Sequence, residues 1–145
     1  MSADPGFTVA VQWGDCDPAQ IVFYPNYFRW FDAASQALIE RILPPKRVLL
    51  ERYQIIGFPI AEASAKFLRP SRYGQSISFD STIESWQEKR FTILHRGYRD
   101  GNLLLEGRET RFAGKVHPDD PNRLQAIAIP DEMIETFRSV KTPTA

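Results

Sequence analysis

The period of apolar and polar residues changes twice along the chain. Phe7, Val9 and Val11 alternate with Thr8, Ala10 and Gln12, the period-two signature of a strand with one buried face. A loop follows at residues 13–18, Trp-Gly-Asp-Cys-Asp-Pro. Pro25 then opens a segment that reaches about residue 41 with no internal Gly or Pro, and Pro suits a first helical turn, where its missing N–H has no helical partner. Tyr27, Phe28, Trp30, Phe31, Ala33, Ala34, Ala37, Leu38 and Ile39 cover more than one stripe of that helix. Its first half is therefore apolar nearly all round and belongs inside something that wraps it. Leu43-Pro44-Pro45 ends it, and residues 47–54 form a shorter helix before Gly57.

From Pro59 onward the period is two. Ile77, Phe79, Ser81 and Ile83 alternate with Ser78, Asp80, Thr82 and Glu84, and residues 91–99 continue in the same manner after a polar break at Gln87-Glu88-Lys89. Asp100-Gly101-Asn102 reads as a hairpin turn, because Gly tolerates the positive φ such turns require. Residues 103–116 give another strand, 117–122 a loop, 124–129 a last strand and 130–138 a terminal helix. This order, with four or five successive strands after the helices, is an α+β fold with an antiparallel sheet. A sheet of this extent curls, and one helix of about 25 Å, at 1.5 Å per residue, fills the curl. A single helix cannot cover both faces or close the edges, so strand edges are expected to pair across subunits of a homo-oligomer.

Composition narrows the possibilities. A chain of 145 residues is one domain's worth, with a core at about 7–138 and ends at 1–6 and 141–145 that read as frayed. Folding at this length buries roughly 70% of the unfolded surface, so no disulfide or metal staple is needed. The lone Cys16 excludes an intramolecular disulfide and a cysteine-built zinc site, and no metal or prosthetic group is implied. With 18 basic and 18 acidic side chains the net charge is zero, which removes the field that holds a protein on DNA or RNA. No apolar run approaches the ~18 residues that span a bilayer, and the first residues lack a signal-peptide pattern. The expectation is a cytoplasmic protein with neither nucleic acid nor membrane as partner.

Candidate chemistry concentrates in Gly14-Asp15-Cys16-Asp17-Pro18-Ala19-Gln20-Ile21-Val22-Phe23-Tyr24-Pro25-Asn26-Tyr27. Two carboxylates sit on a loop just ahead of a helix start, whose unpaired N–H groups can polarise a carbonyl oxygen. A carboxylate there can attack an acyl carbon or position a water to do so. Asp before Pro also simply caps turns, and both readings stand on the residues alone. Cys16 has no His in the motif and is a poor nucleophile. His95 and His117, on a strand and a loop, read as structural or exposed.

Residues 13–35, together with Gly57-Phe58-Pro59-Ile60, resemble the 4-hydroxybenzoyl-CoA thioesterases of the hot-dog fold, and specifically the Pseudomonas-type branch. The order of elements matches over about residues 7–137. The resemblance implies hydrolysis of an aryl- or acyl-CoA to the free acid and coenzyme A by a homotetramer, a dimer of dimers, with coenzyme A entering only as part of the substrate. It places the catalytic carboxylate on Asp17, as nucleophile or general base, and the thioester-binding N–H on Tyr24, with Asp15 structural. One departure is Gln20 where the family pattern has Gly, which would narrow the acyl pocket or change its polarity. Other thioesterases of the superfamily carry a His where this chain has Pro25, and its absence favours the hydroxybenzoyl branch.

A coenzyme A ester brings phosphates that need cations at the pocket mouth. Lys89 and Arg90 fall where the resemblance puts a basic cluster, and Arg69 and Arg72 are alternatives. Asp32 lies between Phe31 and Ala33, where an acid needs a partner. It either hydrogen-bonds a phenolic hydroxyl of the substrate or pairs with a backbone group, Arg29 or Gln36. Phe23, Trp30 and Phe58 are candidates to line an aromatic acyl pocket. The rival readings are a thioesterase for aliphatic acyl-CoA or acyl-carrier protein, and a non-catalytic acyl-CoA-binding domain.

Overall fold

The computed structural model describes residues 6–140; residues 1–5 and 141–145 of the ends read as frayed lie outside the described residues. The first strand, β1 (Phe7–Ala10), leads through a 3-10 turn at Trp13–Asp15 to helix α1 (Pro25–Ile42) and the shorter α2 (Lys46–Tyr53). Five strands follow, β2 (Ile60–Phe67), β3 (Ser76–Trp86), β4 (Arg90–Arg99), β5 (Asn102–His117) and β6 (Asp120–Ile127), before helix α3 (Asp131–Val140). They form one antiparallel six-stranded sheet in the order β1-β3-β4-β5-β2, with β6 also paired to β5. The 16-residue β5 is long enough for one edge to carry β2 at residues 105–111 and the bridge of Gly57 to Gly114, and for the other to carry β4 up to residue 112 and then β6 at 113–117.

Three elements depart from the sequence pattern for physical reasons. The loop expected at 117–122 shrinks to a turn at Pro118-Asp119, because the Asp119 amide donates to His117 Nδ1 at 3.1 Å and the chain re-enters the sheet at once. Strand β2 shows no alternation because it is an edge strand whose residues are exposed on both faces apart from the half-buried Ala65. Helix α1 is not enclosed all round within the protomer. Its buried side chains, Tyr27, Trp30, Phe31, Ala34, Ser35, Leu38 and Ile39, form one stripe at i, i+3, i+4 spacing, while Arg29, Asp32, Gln36 and Glu40 face outward.

The core has two apolar halves with a polar layer between them. Val11, Val22, Tyr27, Trp30, Phe31, Ala34, Ile77, Phe79, Leu104 and Leu105 make one half. Leu38, Ile39, Ile83, Phe91, Ile93, Ala113 and the α3 residues Met133 and Phe137 belong to the other. Between them the inward rows present Ser35 on α1, Ser81 on β3, His95 on β4 and Glu109 with Arg111 on β5, all buried. Phe31 stacks on the His95 ring with centroids 5.0 Å apart and planes 7° from parallel.

Gly107 makes that stack possible, since it pairs with His95 across the ladder and a Cβ there would collide with the Phe31 ring. Gly107→Ala is therefore expected to lower stability by about 1–3 kcal/mol through overpacking, measured by thermal or urea unfolding. An unchanged midpoint would show that Phe31 can leave His95 at no cost.

Candidate active site

The loop between β1 and α1 is built as a tight hairpin held by its own backbone. Cys16 bridges Val22, the Asp17 amide donates to Ile21 O at 3.0 Å, and the Gln20 amide returns to Asp17 O at 2.8 Å. Gln20 takes the left-handed conformation at φ 66°. That is the position after a type I-like turn where Gly is ordinarily found, so the Gly-to-Gln departure falls on backbone geometry first. The Gln20 carbonyl also accepts from Arg72 Nη1 at 3.4 Å.

The two carboxylates of the loop have separate surroundings. Asp15 accepts the Gln12 amide at 2.8 Å on Oδ2 and Arg29 Nη2 at 3.1 Å on Oδ1. Its carbonyl takes the Phe23 amide at 2.8 Å and Asn26 Nδ2 at 2.9 Å, so Asp15 ties the loop to the start of α1. Asp17 is half-buried, and its Oδ1 accepts the Ala19 amide at 2.8 Å as an Asx turn does. Its second oxygen has no protein donor among the described residues.

Asp17 lines an open groove of about 540 Å³ with Trp13, Cys16, Pro18, Gln20, Arg72 and Tyr73. Asp17 is the only carboxylate among these lining residues. Trp13 and Tyr73 form an exposed edge-to-face pair at 5.7 Å. Arg72, one of the alternative coenzyme cations, thus stands beside Asp17, whereas Lys89 and Arg90 are exposed at the turn beyond the far end of β3. Cys16 Sγ lies 3.8 Å from Gln12 O, and no imidazole lines the groove.

The remaining candidates are dispersed. Tyr24 precedes Pro25 at the N-terminus of α1, and its amide has no acceptor among the described residues. Its ring is exposed against Phe23 and Phe67, at 5.7 and 6.4 Å, and does not line the Asp17 groove. Trp30 is a core residue rather than a pocket wall: it is 4% exposed and packs edge-on to Tyr27, because it falls on the buried stripe of α1. Phe58 packs on Phe91 and lines a second cavity of about 360 Å³ with Gly57, Gln36, Glu40 and Arg111. Asp32 is exposed, contrary to its apolar sequence neighbours, because adjacent helical residues point about 100° apart. Its partner is neither Arg29 nor Gln36 but Arg111, whose Nη2 donates to Oδ1 at 2.8 Å.

Arg111 is a site residue that the sequence reading did not single out. The same guanidinium donates to Phe58 O at 2.8 Å and to Glu109, so it joins two predicted substrate residues to the polar layer. The signal was available: Glu109 and Arg111 fall in phase with Leu105, Gly107 and Ala113 on the inward face of β5.

Ser35, His95 and Glu109 have the composition of a catalytic triad but not its geometry. Ser35 Oγ and Glu109 Oε1 both meet Nε2 of His95, at 3.0 and 3.1 Å, while Nδ1 meets Ser81 Oγ at 2.7 Å. A triad needs nucleophile and orienting acid on opposite ring nitrogens, and these three side chains are buried from any substrate.

The model of the Thioesterase-like superfamily matches residues 11–137. The chain belongs to that superfamily. It is 36% identical over 131 residues to the 4-hydroxybenzoyl-CoA thioesterase of Pseudomonas sp. (strain CBS-3), covering 86% of this chain and 91% of that one. The solved structure of that Pseudomonas thioesterase superposes with a TM-score of 0.80 at 33% identity, covering 90% and 96% of the two chains. A 4-hydroxybenzoyl CoA thioesterase mutant, D17N, complexed with 4-hydroxybenzoyl CoA gives a TM-score of 0.79 at 33% identity, over 90% of this chain and 95% of that one. A gentisyl-coenzyme A thioesterase gives 0.75 at 28%, over 91% and 98%. The curved antiparallel sheet around a long helix is thus the hot-dog fold, and the chain is a thioesterase. No helix of its described residues is long and apolar enough to cross a membrane.

Burial of Glu109 opposes its charge, but hydrogen bonds from His95 and Ser35 and the nearby Arg111 charge win and hold its carboxyl below the ordinary value of 4.5. The folded state therefore binds this proton more weakly than the unfolded state. Its stabilising contribution is present above about pH 4.5 and is lost as the pH falls through the folded-state value. Glu109→Gln should be less stable at neutral pH and should show a shallower loss of stability between about pH 5 and pH 3 than wild type. Parallel stability curves for the two would place the acid sensitivity elsewhere.

Proposed function

We propose that this thioesterase hydrolyses an aryl-CoA thioester to the arenecarboxylic acid and coenzyme A, with Asp17 as the reacting carboxylate. The observation that carries the reading is the half-buried Asp17 in the lining of the groove, with one oxygen held by the Ala19 amide and the other without a protein donor among the described residues. Two routes fit. The open oxygen can attack the thioester carbon, expelling coenzyme A thiolate and leaving a mixed anhydride that water cleaves. Alternatively it takes a proton from a water that attacks the same carbon. In both, the unpaired Tyr24 amide at the positive end of α1 is the donor proposed for the developing oxyanion. The aryl specificity is supported by the relatives named for 4-hydroxybenzoyl-CoA and gentisyl-CoA. Asp32, with Oδ1 fixed and Oδ2 exposed, is proposed to accept a ring hydroxyl. Phe23 and Phe58 are proposed as acyl-pocket walls and Gln20 as a lip of the groove.

The pieces do not meet within one protomer. The 11 residues of β3 put about 35 Å of strand between the Arg72 side of the groove and the turn bearing Lys89 and Arg90. A homo-oligomer resolves this by letting one subunit's basic turn serve another's Asp17. The exposed rings of Trp13, Phe23, Tyr24, Phe67 and Tyr73 and the open β2 edge support such an assembly.

Asp17→Asn keeps the side chain's shape but removes nucleophile and base. A fall in kcat of about 10³-fold or more is expected, with coenzyme ester binding retained. Hydrolysis within tenfold of wild type, as ~1.4 kcal/mol, by a correctly folded mutant would remove Asp17 from the mechanism.

If Lys89 and Arg90 hold coenzyme phosphates, replacing both with Ala raises KM for a CoA ester, and less so in high salt. A pantetheine thioester, which lacks those phosphates, should be hydrolysed equally by variant and wild type. An equal defect on both substrates would refute phosphate recognition.

A further inference from the structure

We infer that Arg111 is a positioning residue for acyl-group selection, fixing the Asp32 carboxylate so that one oxygen is spent on the protein and the other is aimed outward as a hydrogen-bond acceptor. The inference rests on the proposal that Asp32 reads a ring hydroxyl, and it adds the device by which it does so.

Arg111 is 8% exposed and its guanidinium is held on every side that the structure describes. Nε and Nη2 donate to Glu109 at 3.3 and 3.1 Å, Nη1 donates to Phe58 O at 2.8 Å, and Nη2 donates to Asp32 Oδ1 at 2.8 Å. Glu109 is in turn fixed by Ser35 and by His95, whose ring lies under Phe31. The fork is therefore rigid, as a planar guanidinium with several donors engaged must be. Asp32 is an otherwise exposed side chain on the outer face of α1, and nothing else described restrains it.

Charge completes the argument. Two carboxylates flank one guanidinium, so the cluster repels a further anion and favours a hydrogen-bond donor. The Asp32 oxygen left over accepts only. Arg111, which holds Asp32, also lines the 360 Å³ cavity with Phe58, so the same guanidinium links the acceptor to that cavity's apolar surface.

The test compares kcat/KM for 4-hydroxybenzoyl-CoA, benzoyl-CoA and 4-methoxybenzoyl-CoA in full-length protein. Asp32→Ala is expected to shrink the preference for the hydroxylated over the unsubstituted ring by about tenfold or more. Arg111→Lys keeps the charge but loses the fork. It should shrink the same preference by about threefold or more, lower 4-hydroxybenzoyl-CoA hydrolysis more than benzoyl-CoA hydrolysis, and have no further effect on the ratio when Asp32 is already Ala.

Asp32→Asn provides a readout that does not disturb the buried layer. With Arg111 donating to Oδ1, the amide must turn its NH2 outward, so the site becomes a donor. The methoxy ester, which can only accept, should then rise against the hydroxy ester by about threefold or more relative to wild type. An unchanged preference in Asp32→Ala would overturn the reading of Asp32 and this inference with it. A loss in Asp32→Ala, combined with an equal effect of Arg111→Lys on all esters and no methoxy gain in Asp32→Asn, would overturn the inference while leaving Asp32 in its role.

Discussion

Glu109 is a carboxylate in the middle of a protein core, and most of the architecture can be read as the arrangement that makes this tolerable. An unpaired charge there would cost several kcal/mol of desolvation. It is compensated from three elements at once: Ser35 from α1, the imidazole of His95 from β4, and the Arg111 fork from β5 itself. Each contact fixes something larger. Ser35 sets the rotation of α1 on the sheet and so decides which side chains form its buried stripe. His95 carries Phe31 on its face, and Gly107 clears the room for that ring. Arg111 ties Phe58 and Asp32 to the same point. An apolar core of the same volume could be as stable, but it would fix none of these directions.

The loop of Asp15 and Asp17 uses the opposite strategy. Nothing charged is buried at Asp17; the loop is held by backbone pairing and by Asp15, whose carboxylate and carbonyl together take donors from Gln12, Arg29, Phe23 and Asn26. One Asp supplies the scaffold and the other is left with an open oxygen. The division explains why two identical residue types two positions apart are not interchangeable, since the partners of Asp15 would be stranded by its loss while Asp17 has only the Ala19 amide to lose.

The parts of this arrangement that were legible in the sequence are those set by local periodicity. The strand alternation of β3, β4 and β5, the α1 start at Pro25 and the Asp100-Gly101 hairpin follow from neighbours two to four residues apart, and the structure has them. The family followed from residues 13–35 together with Gly57-Phe58-Pro59-Ile60. Strand β2 could only be seen as a change of period, because an edge strand without a buried face has no alternation to show. Trp30 and Asp32 were misplaced by reading sequence neighbours as spatial ones: on a helix Phe31 and Ala33 say little about the surroundings of Asp32. Arg111 was missed for a different reason. The β5 pattern marks it as inward-facing, but its partners Asp32 and Phe58 lie 79 and 53 residues away, on α1 and just ahead of β2, and only the tertiary fold brings them together.

Asymmetry of satisfaction is what remains. The interior polar groups are paired so fully that no described buried side-chain nitrogen or oxygen lacks a partner. At the surface, by contrast, the β2 edge, the rings of Tyr24 and Phe67 and the open oxygens of Asp17 and Asp32 are all unsatisfied. A chain that spends a buried ion network to orient a surface carboxylate gains nothing from it while that carboxylate faces bulk water, where a hydrogen bond to substrate is worth little more than one to solvent. The orientation has value only if the carboxylate is desolvated when substrate is bound. In the proposed homo-oligomer a second subunit lying across these faces would exclude that water, so the same contact that covers the apolar rings would also make the fixed acceptor selective.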